Sequence, residues 1–241
     1  MQANAHKPPL RLIRRSFDRP ALGTAVSDAI LTRVANGDLP ATLRLHRPER
    51  ELAFAKQDRV AAGFDEAVRA ARREGFEPVI RMAGGRAAVF HEGTLAIAWS
   101  RPDSRPVARI RERFEEAAEI VAEALHRVGV DTRIGEIPGE WCPGAWSVNA
   151  RGAVKLAGIG QRMIAGGAHI GIVVVVARGE LVRAALEPVY RALDLDWDPR
   201  TAGGVGDEAS GVGLADVEAS LVEALGERYE LREADIDSAT L

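Results

Sequence analysis

One cysteine, Cys142, stands in the segment EWCPGAWSVNARGAVKLAGIGQR, and one lysine, Lys155, follows it there. A thiolate is a strong nucleophile, so a lone cysteine in a defined backbone setting is the first candidate for covalent catalysis. Free cysteine is also among the most buried residue types, which makes an inert core thiol the competing expectation. Pro143 biases Cys142 toward extended backbone and Gly144 permits a sharp turn, so the pair present the thiol at a loop. The Gly144 amide would be available to an oxyanion, whereas Pro143 has no N–H to give. Arg151-Gly152 reads as the turn between the arms AWSVN and AVKLAG, which folds Lys155 back toward Cys142. An ammonium there would lower the thiol pKa or polarise an acyl carbonyl, and both serve acyl transfer. The alternative is a lysine snorkelling at a sheet rim.

Two histidines are candidates for a base toward Cys142: His91, just past Gly84-Gly85, and His169, at the entry to an apolar run, with His91 preferred. No metal site is expected, because the chain has neither a His-Glu-x-x-His motif nor a cysteine cluster. The glycine-rich TAGGVGDEASGVG is followed by no lysine and reads as a flexible connection rather than a phosphate loop.

These residues need a scaffold, and the composition allows one. The chain has 241 residues, 46% hydrophobic and 28% charged, with a net charge of -3, values of an ordinary folded protein with a sizeable core. Nothing in this balance favours nucleic acid or an anionic membrane as partner. One cysteine rules out an intrachain disulfide framework and points to a reducing compartment, so a cytoplasmic location is expected. MQANAHKPPLRLIRR has no apolar core of signal-peptide length and reads as a ragged start, over about residues 1–9, leading into a strand. IGIVVVVA is far shorter than a membrane span and reads as a buried strand.

Apolar spacing predicts helices over Leu22–Val34, Asp58–Glu74, Pro106–Val128 and Leu214–Leu225, and one through GELVRAALEPVYRAL bent or broken near Pro188. Strands are expected at ATLRLHRP, ELAFA, PVIRM, RAAVF, GTLAIAWS, TRIGEI, AWSVNA, AVKLAGIGQ and AHIGIVVVV, with Gly84-Gly85 turning PVIRM into RAAVF. Short glycine turns between strands favour an α+β fold: a central mixed, largely antiparallel sheet flanked by helices. No linker or repeat divides the chain, so one domain over 1–241 is expected, ending in a helical tail over about 200–241.

GEWCPGAWSVNARGAVKLAGIGQR resembles the corresponding block of lipoate-protein ligases and octanoyltransferases, the biotin/lipoate ligase superfamily. Its Cys-Pro-Gly, Lys-Leu-Ala-Gly and Gln-Arg elements look most like the cysteine-dependent octanoyl/lipoyl amidotransferase branch. RMAGGRAAVFHEGTL resembles the family's glycine-rich loop and LHRPERELAFAKQD its preceding strand-and-glutamine segment, so the likeness runs from about Asp28 to about Val176. The resemblance implies the biotin/lipoate ligase catalytic fold, with Cys142 holding an octanoyl or lipoyl group as a thioester between two carrier lysines. It implies that Lys155 contacts the acyl carbonyl. It places Arg81, Gly84, Gly85, His91, Gly158 and Gln161 at the acyl group. The implied partners are lipoyl-carrier proteins, namely the glycine cleavage H protein and E2 lipoyl domains, and the transfer requires no cofactor. The alternatives are an ATP-dependent lipoate-protein ligase working through an acyl-adenylate with ATP and Mg2+, and a non-catalytic relative that binds carrier domains. Arg86 and Ala96 depart from the family pattern; Arg86 would narrow the acyl pocket, pair with an acidic carrier, or mark a changed substrate.

Overall fold

The computed structural model describes residues 7–241. In chain order its elements are β1 (Pro9–Ile13), α1 (Pro20–Ala35), β2 (Thr42–His46), β3 (Glu51–Phe54), α2 (Phe64–Arg73), β4 (Glu77–Ile80), β5 (Ala88–Phe90), β6 (Thr94–Pro102) and α3 (Ile110–Arg127). They continue with β7 (Thr132–Ile134), β8 (Val148–Ala150), β9 (Val154–Ile164), β10 (Gly167–Val175), α4 (Gly179–Ala192), α5 (Val205–Glu208), α6 (Leu214–Arg228) and β11 (Glu230–Glu233). The expected ragged start falls largely on residues 1–6, outside the described residues.

An eight-stranded sheet in the order β11-β1-β2-β6-β10-β9-β8-β7 forms the centre, and β4-β3-β5 form a second, smaller sheet. In the large sheet only the β11/β1 and β1/β2 pairs are parallel; every other neighbour runs antiparallel. This is the mixed, largely antiparallel α+β architecture expected from the short glycine turns.

Strand alternation sorts the two faces of the large sheet. Leu43 and Leu45 of β2, Leu95, Ile97 and Trp99 of β6, and Ile170, Ile172 and Val174 of β10 pack with Val121 and Leu125 of α3 and Leu221 of α6 in the main core. The residues between them, Ala96, Ala98, Gly171 and Val173, lie on the opposite face and are small. There a second core joins β3, β5 and α2 to α4.

Several boundaries differ from the sequence reading. α2 begins at Phe64, because Asp58–Val60 forms a separate 3-10 turn and the Asp58 carboxylate accepts the Ala55 N–H at 2.9 Å. α3 begins at Ile110 rather than Pro106. α4 runs unbroken through Pro188. Its face of Val182, Ala185, Leu186 and Val189 is fully buried, and that packing outweighs one lost backbone bond. Gly84-Gly85 do not make a hairpin: β4 and β5 lie on either side of β3, so the loop crosses over it. Residues 200–241 are not only helical, since β11 pairs with β1 and extends the sheet. TAGGVGDEASGVG is packed rather than flexible. A Cβ on Gly203 would lie 2.7 Å from Val154, and Ala202 bridges to Lys155.

Candidate active site

Residues 135–147 form the loop between β7 and β8, and Cys142 lies near its middle. Its φ is 44°. The extended conformation expected before proline is therefore replaced by the left-handed region, which costs a non-glycine residue free energy and persists only where neighbours over-determine it. They do so here. The Cys142 N–H donates to the Tyr190 hydroxyl at 2.7 Å, which in turn donates to the Ala87 carbonyl at 3.0 Å. Lys155 Nζ donates to the Cys142 carbonyl at 2.8 Å and to that of Trp141 at 2.9 Å.

Lys155 reaches this loop through the predicted hairpin. Arg151 and Gly152 take φ of 57° and 73° at its turn, and Asn149 pairs with Lys155 while the next residue back, Val148, pairs with Ala157. Leu156 is thus an extra residue on β9, a bulge that resets which side chains face which way. Without it, Lys155 would share the face of Ala157 and Ile159; with it, Lys155 faces the same way as Gly158. The expected snorkelling alternative does not hold, since Lys155 is 1% exposed. Its third donor goes to Glu140 Oε1 at 3.0 Å, and the ammonium lies 4.6 Å from the Trp141 ring centre.

Glu140 organises the loop from beneath. Its carboxylate accepts from Ile137 N at 3.2 Å, Gly144 N at 3.0 Å and Ser147 Oγ at 2.5 Å, besides Lys155. The Gly144 amide is therefore engaged by Glu140 and does not point at an oxyanion. All three Lys155 donors are also engaged, two of them by backbone carbonyls of the cysteine loop, so the lysine positions the cysteine backbone.

The thiol faces the glycine-rich loop. Sγ accepts the Arg86 N–H at 3.2 Å and lies 3.4 Å from Arg81 Nη2. Arg81 Nη2 is held by the Gly84 and Arg86 carbonyls, both at 2.7 Å, and Gln57 donates to the Gly85 carbonyl. Gly85, at φ 102°, has no room for a side chain, because a Cβ would lie 2.7 Å from Sγ and 2.6 Å from Arg81. Burial pushes the Cys142 pKa up, but the Arg81 and Lys155 charges, the Arg86 amide and the Arg81 hydrogen bond together bring it below that of an ordinary cysteine. The result is a half-buried thiol more acidic than an ordinary cysteine. Arg86 does not narrow the cavity: its guanidinium turns to the buried Asp58 at 3.4 Å.

A cavity runs inward from Cys142, Arg81 and Gly158 between the two sheets and the start of α1. The register lays out its floor. Gly158, Val173, Ala96 and His46 form one row across β9, β10, β6 and β2, and Gly171, Ala98 and Arg44 form the next across β10, β6 and β2. Ala88 and Phe90 of β5 and Glu51 of β3 line it from the small sheet. Two expected acyl contacts lie elsewhere. Gln161 is on the opposite face of β9 by alternation, where its amide accepts from Arg113 at 2.8 Å and donates to the Ile110 carbonyl at 3.0 Å. His91 is fully buried in the β5–β6 turn, with Nδ1 accepting the Gly93 N–H at 3.0 Å, and does not line the cavity. Burial lowers its pKa to about 4, which leaves the imidazole neutral. His169 does line the cavity, its Nδ1 is 3.3 Å from Ser100 Oγ, and burial, then Arg44 and Arg162, lower its pKa to about 4.

Sequence reading missed Glu140, Tyr190 and Asp58. Glu140 lies in the Cys142 segment and Asp58 beside Gln57, but nothing in the local sequence shows that either carboxylate is buried, as both are in the structure. Tyr190 belongs to a distant helix and gave no local signal. Among the described residues, no group of three or more His, Cys, Asp or Glu is placed to hold a metal, and no helix is long and apolar enough to cross a membrane.

The site is thus a half-buried cysteine lining a cavity between a mixed sheet and a glycine-rich loop. Residues 19–194 match the lipoyl protein ligase A/B catalytic domain, and the chain belongs to that family. It is 32% identical over 188 residues to the octanoyl-[GcvH]:protein N-octanoyltransferase of Geobacillus kaustophilus, a match covering 76% of this chain and 64% of that protein. It is 26% identical over 164 residues to the lipoyl-[GcvH]:protein N-lipoyltransferase of Listeria monocytogenes, covering 66% of this chain and 59% of that one. The chain thus spans less than two thirds of the length of these relatives. A lipoate-protein ligase A bound with ATP superposes with a TM-score of 0.76 at 20% identity, over 97% of this chain and 91% of the other. The bi-partite lipoate protein ligase of Thermoplasma acidophilum does so at 0.73 and 18%, over 98% and 89%. These two share the fold.

Proposed function

We propose that this chain is a protein acyltransferase that moves octanoyl or lipoyl groups between carrier-protein lysines through a Cys142 thioester. The observation that carries this reading is the position of Sγ: it lies at the mouth of the cavity against the Arg86 amide and the Arg81 guanidinium, with its backbone clamped by Lys155 and Tyr190. The Cys142 thiolate attacks the carbonyl carbon of an acyl-lysine amide. Its C–N bond breaks, the lysine nitrogen takes a proton and leaves as an amine, and the acyl group remains on sulfur. A lysine amine of a second carrier then attacks the thioester, loses a proton, and returns the thiolate. One amide is exchanged for another, so no ATP is consumed. Arg81 stabilises the thiolate before attack and after release, while Gly84, Gly85 and Gly158 leave room at the reacting carbon.

The relatives' names point to the glycine cleavage H protein as donor, and E2 lipoyl domains fit as acceptors. A cytoplasmic location suits a chain whose working thiol must stay reduced. The test is intact-mass analysis after incubation with an octanoylated or lipoylated carrier without ATP. The expected result is an acyl adduct on the wild type that is absent from Cys142→Ser. An adenylate formed from ATP and free octanoate, with no adduct on the thiol, would show a ligase instead.

A further inference from the structure

The cavity changes character along its length. From β9 to β6 its floor is Gly158, Val173 and Ala96 in one row and Gly171 and Ala98 in the next, all small and apolar or without a side chain. At β2 the same rows end in His46 and Arg44, and Glu51 lines the cavity beside them. Three steps between neighbouring strands at about 4.8 Å place β2 roughly 14 Å from β9. An extended eight-carbon acyl group projects to roughly 9 Å over its carbon–carbon bonds, and the thioester sulfur adds about 2 Å. An acyl chain that starts on Cys142 beside Gly158 and runs straight across the strands therefore brings its distal carbon between Ala96 and the polar end.

Those polar groups are poorly served by the protein itself. Arg44 is held by the Arg15 carbonyl at 3.2 Å and by the Gly23 carbonyl and Ser27 hydroxyl at 3.0 Å each, yet its Nε has no partner. Nδ1 of His46 has no hydrogen-bond partner among the described residues, although backbone groups of Arg44 and Ala96 lie near the ring. Glu51 makes no hydrogen bond or ion pair among the described residues, and only the more distant charges of Arg44, Arg81 and Glu77 act on it. A saturated chain end would press a methyl group against these groups and strip their water without replacing it. Each such loss weakens binding by a factor of about ten.

We propose that Arg44, His46 and Glu51 select an acyl group carrying a hydrogen-bonding substituent, such as a hydroxyl, at its distal carbon over the saturated chain of the same length. A distal hydroxyl donates to the Glu51 carboxyl and accepts from Arg44 or His46, which satisfies donors and acceptors that a hydrocarbon leaves bare. This inference rests on the acyl-transfer reading.

The test is a single-turnover measurement of the Cys142 adduct by intact mass, using a lipoyl-type carrier domain acylated on its lysine with octanoyl or with 8-hydroxyoctanoyl. The wild type is expected to load the hydroxylated group at least about tenfold faster, and the E51L/H46L double substitution is expected to invert that ratio. Equal loading by the wild type, or a hydroxyl preference that survives in E51L/H46L, overturns the inference while leaving acyl transfer intact. Absence of any adduct from either donor refutes acyl transfer and this selection together. If E51L/H46L does not fold, as judged by circular dichroism, the wild-type ratio and that of Glu51→Gln decide: equal loading overturns the inference, and a ratio lowered by E51Q supports it.

Discussion

Replacing Lys155 by methionine separates its proposed task from a merely structural one. The side chain is 1% exposed and its partner Glu140 0% exposed, at 3.0 Å, and removing one member of a buried pair costs about 3–5 kcal/mol. Glu140 retains donors from Ile137, Gly144 and Ser147, which reduces the penalty. The Trp141 and Cys142 carbonyls lose their shared donor, which increases it. We predict a loss of about 3 kcal/mol in urea unfolding, and a melting temperature lower by roughly 6–12 °C for a chain of this size. Glu140→Gln in the Lys155→Met background should recover part of this, because it removes the unpaired charge. The functional part is read separately. Loss of the Lys155 charge raises the thiol pKa, so the pH midpoint of iodoacetamide alkylation of Cys142 should move up. A variant within about 1 kcal/mol of wild type and with an unchanged alkylation midpoint would refute the argument that Lys155 clamps and charges this loop.

The remaining expectations concern the loop and the cavity. Burial raises the Glu51 pKa from 4.5 to about 7, so between those values the folded state holds a proton that the unfolded state has lost. Stability then falls as pH rises through this window, by at most about 3 kcal/mol. Glu51→Gln should remove that slope in urea unfolding at pH 5 and pH 8, and an identical slope in the variant would contradict the assignment. Gly85→Ala should abolish most thioester formation, because its Cβ meets Sγ and Arg81, at a stability cost of only about 1–2 kcal/mol; full transfer activity would be incompatible with the described loop. Tyr190→Phe leaves the Cys142 N–H and Ala87 carbonyl without a partner and should cost about 1–3 kcal/mol. It should also lower acyl loading per folded molecule, whereas unchanged loading would show that the left-handed backbone of Cys142 is held by other contacts.

The sequence by itself determined the elements and the hairpin. Leu43 and Leu45 alternate with polar neighbours, Leu95, Ile97 and Trp99 repeat the pattern, and Arg151-Gly152 supplies the turn; each signal is local, so the pattern specifies it directly. That the hairpin returns the strand of Lys155 toward the Cys142 loop was legible for the same reason. Other features depend on contacts between distant segments. The backbone of Cys142 is left-handed because a tyrosine on α4 and a lysine on β9 hold it from two sides, which overrides the local bias imposed by Pro143. Whether Lys155 faces the cysteine at all was decided by the Leu156 bulge, since one extra residue exchanges the two faces of a strand. His91 and Gln161 showed the same limit from the other side. Their positions beside recognisable motifs suggested a shared site, but a turn buried one and strand alternation sent the other to the opposite face. The polar end of the cavity likewise exists only in the folded sheet, where register places His46 and Arg44 in line with glycines more than a hundred residues away.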